Sequence, residues 1–368
     1  MAHCSAPHGS STPHGSAIPD GSVIKPVIAN LVGQASAKPA VWFMRQAGRS
    51  LPEYREARGS IPMLEACLMP DLAAEITMQP VRRHGVDAAI FFSDIMVPLR
   101  LCGVDVDIVP GVGPVLDHPI RHEDDMRTLG SAIFDDPSAI TTALRLIREE
   151  LPPHVALLGF AGAPFTLAAY MVEGRPSKDH FAARALMHRN PQLWEHLMRW
   201  CASVSRAFLE VQIAAGVDAV QLFDSWAGSL SRNDYQAHVL PFSRLTLDDL
   251  PVPTIHFGTS TSHIMDLMAD GGRHALGVDH RLGLDEVARR VPGVALQGNI
   301  DPAYLFAGEA RLTHHARDVV RRGRAAPGHV VNLGHGVPPH TDPGVLTALV
   351  DAIHSFGDVH ADTGECEG

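Results

Sequence analysis

Short apolar runs recur along the chain, each followed by a few Gly, Ser, Asp or Pro residues and then by a longer stretch with helical periodicity. The runs are "AVWFM" (40–44), "DAAIFF" (87–92), "VALLGF" (155–160), "DAVQLF" (218–223), "VPTIHF" (252–257), "HALGV" (274–278), "GVALQ" (293–297) and "HVVNL" (329–333). Helical patterns occupy 70–85, 135–150, 191–216, 231–249, 261–270, 284–291, 308–323 and 343–356. Asp71 in "MPDLAAE" offers an N-cap for the first of these, and Gly216 in "AAGVD" marks a helix end. Strands apolar on both faces and alternating with helices predict a parallel sheet covered on both sides. Eight such units fit a closed (β/α)8 TIM barrel, α/β in class and a single domain. An open doubly wound sheet is the rival arrangement. Residues 101–116, "LCGVDVDIVPGVGPVL", alternate around Pro110 and Gly111 and predict a β-hairpin inserted after the second strand.

The run "VALLGFAGAPFTLAAYMV" (155–172) has 18 residues without a charge, long enough to raise the question of a membrane span. Gly159, Gly162 and Pro164 interrupt it, which predicts a buried strand running into a tight loop. Residues 1–22 are rich in Ser, Gly, Pro and His with no apolar segment, so a disordered tail is expected there and not a signal peptide. The barrel is expected over 23–358, with a flexible C-terminal tail over 359–368. The net charge of -11 speaks against a nucleic-acid surface, but a local basic pocket can still serve an anionic small molecule. Five scattered cysteines without CxxC spacing point to a reducing compartment and away from a disulfide framework or a thiolate metal site. A soluble, cytoplasmic protein is expected.

In a barrel of this kind the chemistry gathers where strands end and βα loops begin. "RQAGR" places Arg45, Gln46, Ala47, Gly48 and Arg49 directly after the first strand, in a loop of small residues. Guanidinium forks there suit carboxylate and phosphate equally. Arg55 and Arg58 follow in the helix-like "EYREAR", where Glu53 and Glu56 are available as partners. Asp94 in "FFSDI" follows the second strand and serves equally well as a helix N-cap. Tyr170 lies eight residues after Gly162 and has the alternative of a core position. Asp224 and Ser225 follow the fourth strand, and His335, between Gly334 and Gly336, follows the eighth. The 22 histidines form no HExxH or comparable metal pattern, and His314–His315 reads as a surface pair. No GxGxxG follows a strand and there is no P-loop.

Taken in order, "RQAGRSLPEYR", "FSDI", "GFAGAPFTLAAYMVEG", "FDSWAG", "QGNIDP" and "NLGHGVPP" closely resemble the uroporphyrinogen decarboxylase family of haem biosynthesis, over about residues 24–357. The resemblance implies that Arg45, Gln46, Ala47, Gly48, Arg49 and Arg58 line the cleft and bind substrate carboxylates. It implies that Asp94 accepts the pyrrole N–H groups of the macrocycle, and that Tyr170, Ser225 and His335 contact the acidic arms. It also implies a homodimer that uses no metal or organic cofactor. Three positions depart from the family pattern: Ser50 where Tyr is usual, Arg175–Pro176 where glycines are common, and His280 where Trp is typical.

The implied substrate carries four acetate and four propionate arms. Loss of CO2 from an acetate needs an electron sink, which a pyrrole provides when its ring carbon beside the acetate is protonated. The protein then needs a carboxylate to stabilise the cation, which Asp94 fits, and arginines to hold the arms, which Arg45, Arg49 and Arg58 fit. The catalytic set is expected to be Asp94, Arg45 and Tyr170. The proton donor stays open among an arginine, a water and His335. The competing readings are a zinc-dependent methyltransferase on the same barrel and a non-catalytic tetrapyrrole-binding protein.

Overall fold

All eight apolar runs become parallel strands, and the hairpin forms between the second and the third. In chain order they are β1 Ala40–Val41, β2 Ala88–Ile90, the antiparallel pair β3 Val106–Val109 and β4 Gly113–Leu116, then β5 Ala156–Gly162 and β6 Ala219–Asp224. The series ends with β7 Thr254–Gly258, β8 Ala275–Gly277, β9 Ala295–Gln297 and β10 His329–Val331. The computed structural model describes residues 25–357 except 35, 37, 271 and 272. The two expected tails, 1–22 and 359–368, lie outside the described residues.

The strand order is β1-β10-β9-β8-β7-β6-β5-β2, every neighbouring pair parallel. Its two ends, β1 and β2, meet through a seam built largely from side chains. Asp87 N donates to Val41 O at 2.8 Å, while Val41 N donates to Asp87 Oδ2 at 2.8 Å. Gln46 Nε2 donates to Ala88 O at 2.8 Å. With that seam the sheet closes into a single (β/α)8 barrel. Its lumen holds a polar relay in which Trp42 Nε1 donates to Gln297 Oε1 and Gln297 Nε2 to Gln221 Oε1, at 3.0 and 2.7 Å. Buried amides tolerate this position because each finds a partner across the lumen.

Several expectations need correction. The uncharged run after β5 does not enter a loop. It crosses Ala163 and becomes the helix Pro164–Glu173, with Pro164 in its first turn. A proline there costs no hydrogen bond, because the first N–H groups of a helix have no intrahelical partner. Asp71 is not the cap of Pro70–His84: it lies inside the first turn, after Met69 and Pro70. The pattern over 231–249 divides at Val239 into Arg232–His238 and Leu240–Leu247, again with a proline in the opening turn of the second. His315 is half-buried; its ring stacks on Tyr304 at 4.0 Å and its Nε2 accepts from Asp301 N. Among the described residues no helix is long and apolar enough to cross a membrane.

Candidate active site

The loop after β1 is shaped by its neighbours. Gln46 is fully buried, its Oε1 accepting from Phe43 N at 2.9 Å while its Nε2 crosses to β2. This turn leaves Arg45 in the left-handed backbone region, φ 63°, with its side chain exposed. For a residue with a Cβ that conformation costs about 1–2 kcal/mol. Met44 is clamped from the other side: its N donates to Asn332 Oδ1 at 3.0 Å and its O accepts from Val337 N at 2.8 Å. These bonds fasten the His335 loop against Arg45. A Cβ on Gly336 would stand 2.4 Å from Arg45 Cδ, and one on Gly334 2.3 Å from His280 N. Both glycines are therefore spacers for a close approach.

Asp94 arrives from the end of β2. Phe92 N donates to Thr77 Oγ1 of the helix behind it, at 2.9 Å, which fixes the strand end. Asp94 Oδ1 then accepts from Met96 N at 2.9 Å, a turn bond two residues ahead; the helix that follows, Val97–Leu101, has Met96 as its N-cap, so Asp94 is not the cap. Oδ2 takes no hydrogen bond among the described residues, and the side chain keeps part of its surface open. Burial raises the Asp94 pKa, opposed by the Met96 N–H and by the charge of Arg45.

Tyr170 projects from Pro164–Glu173, a helix docked on β6 by Ala163 N donating to Phe223 O and by Thr166 Oγ1 donating to Asp224 Oδ1. Its ring lies on Trp226 at 3.9 Å between centroids, and Trp226 is backed on its far side by His180 at 4.3 Å. The Tyr170 pKa is pushed up to about 12, by burial and then by the charge of Asp94, so the hydroxyl keeps its proton. His335 is open to solvent, yet the protein around it and the charges of Arg45, His280 and Arg281 lower its pKa. The Gly336 backbone hydrogen bond opposes this shift, whose net direction favours the neutral ring.

Arg45, Asp94, Tyr170 and His335 thus share one field at the C-terminal mouth of the barrel. Ser225, half-buried beside Trp226, leads into the same rim; its carbonyl accepts from Thr259 Oγ1. Ala47 and Gly48 form the half-buried floor of the loop between the two exposed arginines Arg45 and Arg49. Arg58 lies over the Tyr54 ring at 5.7 Å and donates to Ile61 O at 2.7 Å. Glu53, expected as a local partner, pairs instead with Arg83. Tyr54 in turn meets Phe92 edge to face at 5.8 Å, which links this arginine helix to the Asp94 strand.

Not every motif residue faces the mouth. Gln46 commits both ends of its amide to the backbone. Asp224 is fully buried with Oδ2 3.5 Å from His256 Nε2, a pair inside the barrel. Asn299 of "QGNIDP" donates to the carbonyls of Asp279 and Leu282 at 2.7 Å and shapes the neighbouring loop. Trp226 and His180 were not singled out by the residue patterns, although Trp226 follows Ser225 directly. Their role depends on a stack between segments 46 residues apart, which no local pattern encodes.

The family model for uroporphyrinogen decarboxylase (URO-D) matches residues 24–356. A uroporphyrinogen decarboxylase of Arthrobacter sp. (strain FB24) is 56% identical over 335 residues, covering 90% of this chain and 97% of the relative. Those of Nocardia farcinica and Streptomyces coelicolor are 53% and 54% identical, over 90% and 86% of this chain and 96% and 90% of their own. Among solved structures, a methyltransferase from Methanosarcina mazei superposes with a TM-score of 0.73 at 18% identity, covering 91% of this chain and 99% of its own. A B12-independent methionine synthase from Shewanella sp. W3-18-1 gives 0.54 at 12% identity, covering 77% and 87%. At such identities the likeness is one of fold.

Proposed function

The chain belongs to the uroporphyrinogen decarboxylase family and is a carboxy-lyase acting on a tetrapyrrole, and we propose that the barrel mouth around Asp94 converts uroporphyrinogen III to coproporphyrinogen III by four successive decarboxylations. The observation that carries this assignment of the site is Asp94 itself. It is a desolvated, partly open carboxylate with one oxygen pinned by Met96 N and the other unengaged, and it faces Arg45 and Tyr170.

The unengaged oxygen accepts the pyrrole N–H groups. Protonation of the ring carbon beside an acetate then creates a cation that Asp94 stabilises by charge placed in advance. The acetate C–C bond breaks, CO2 departs, and the bonding pair neutralises the cation. A proton added to the exocyclic carbon, with loss of the one on the ring, completes the methyl group. Arg45 orients the reacting acetate, and Ala47, Gly48, Arg49 and Arg58 hold neighbouring arms. Ser225, Tyr170 and His335 act as neutral partners to the carboxylates. For Tyr170 and His335 this follows from pKa shifts that leave each with a neutral hydrogen-bond donor. Gln46 contributes by fixing the turn that presents Arg45. The reaction supplies its own electron sink, so the proposal includes no cofactor. Two copies are proposed to pair as a homodimer in the cytoplasm.

The test is to incubate metal-stripped protein with uroporphyrinogen, reduced and in the dark, and to count carboxyl groups after oxidation. Stepwise seven-, six-, five- and four-carboxyl products are expected. Tight binding without conversion would move the protein to a non-catalytic tetrapyrrole carrier, and activity that returns only with zinc would move it to the metal-dependent reading.

A further inference from the structure

On the outside of the barrel, three metal-ligating side chains converge that the decarboxylation does not use. Asp234 and His238 lie four residues apart in Arg232–His238 and therefore share one helix face. His188, in the last turn of Phe181–Arg189, meets them from the neighbouring element, its Nε2 3.5 Å from Asp234 Oδ1. One ligand atom from each of the three lies within 4.8 Å of the other two. From these residues we infer a divalent transition-metal site, of the zinc class, that joins the two helices.

The ring geometry supports it. The His188 and His238 imidazoles are nearly perpendicular, at 87°, with centroids 5.9 Å apart. Two imidazoles on one tetrahedral ion, with bonds of about 2.0–2.1 Å, place their centroids about 5 Å apart. The difference is about an ångström, and the His188 side chain is 58% exposed and so not locked by packing. The other two ligands sit on a braced frame. The helix start is capped by Ser231, whose hydroxyl accepts from Asp234 N at 3.1 Å, and Trp194 Nε1 donates to His238 O at 3.2 Å. Two imidazoles with one carboxylate suit Zn2+, Co2+, Ni2+ or Cu2+ better than the oxygen-seeking Mg2+ or Ca2+. His238 also lines a groove of about 470 Å3 together with Trp194, Glu195 and Pro241, so solvent reaches this ligand from one side.

The test titrates Zn2+ into the full, metal-free chain by calorimetry and compares it with the double variant His188→Ala/His238→Ala. The histidines His3, His8 and His14 at the N-terminus are present in both proteins, so their contribution cancels. The wild type is expected to take up one equivalent more than the variant, and its Tm to rise by about 3–6 °C at a hundredfold excess over Kd. Decarboxylase activity should be the same in both, with or without zinc. Equal zinc stoichiometry in the two proteins overturns the site, whatever the Tm does. Should the double variant fail to fold, His188→Ala alone, at an exposed position, supports the same comparison.

Discussion

Arg45 holds a left-handed backbone, φ 63°, in a loop that includes a glycine which does not occupy that position. The strain is carried by the Gln46 amide below it and by the Gly336 approach beside it. Gly336 itself lies outside the left-handed region, so an alanine there costs little in backbone energy and acts through its methyl group. Gly336→Ala is expected to push Arg45 aside and lower kcat/KM about 10–100-fold, with the urea midpoint nearly unchanged. Equal loss of stability and activity would show that the spacer serves the fold instead. Asp94→Asn keeps the shape but removes the charge. A fall in kcat/KM of about a hundredfold or more is expected. Stability should hold or rise, since burial already disfavours the Asp94 carboxylate. Turnover at the wild-type rate would remove Asp94 from the mechanism.

At the scale of elements, the barrel closes at its weakest join. β1 contributes only Ala40–Val41, and its contact with β2 depends on Asp87 and Gln46 side chains. Gln46→Ala would strand Phe43 N and Ala88 O in the interior, at a cost of about 2–4 kcal/mol. Urea denaturation should show that loss, and kcat/KM should fall with it, because the turn that presents Arg45 loses its support. A raised KM at unchanged stability would place the Gln46 amide on the substrate. The helix Pro164–Glu173 shows how an element escapes local reading. Gly162 and Pro164 look like punctuation, yet they mark the change from strand to helix within three residues. A proline signals either a break or a first turn, and only what it packs against distinguishes the two.

Across the whole molecule, buried histidines set the response to acid. His84 lies under Thr347 with its pKa lowered to about 4 by burial and by Arg83, and His329 is lowered to about 4 by burial. In the unfolded chain both titrate near 6.5, so between that value and 4 the unfolded state binds more protons than the folded state. Stability is therefore expected to fall as pH drops through this window, by about 3 kcal/mol for His84 alone. His354 has the opposite sign: Asp87 raises its pKa, and the stability that pairing adds is lost as pH rises through the raised value. Urea midpoints at pH 7 and pH 4.5 measure the net effect, and His84→Gln should flatten the difference. An unflattened profile would remove His84 from the acid response.

The strands, most of the helices, the hairpin and the order of the motif loops were legible in the sequence, because each is written as a local periodicity or a short run. The family followed from the same ordered loops. Tertiary structure alone decided which motif residues open onto the mouth and which are absorbed by the frame. Gln46, Asp224 and Asn299 sit within motifs as distinctive as those of Arg45 and Asp94, and they differ only in what surrounds them. The same holds for the Tyr170–Trp226–His180 stack and for the His188–Asp234–His238 cluster. Each is a contact between distant segments brought together by the packing of neighbouring strand–helix units. Periodicity along a chain specifies the faces of its elements; the partners of those faces are fixed by packing in three dimensions.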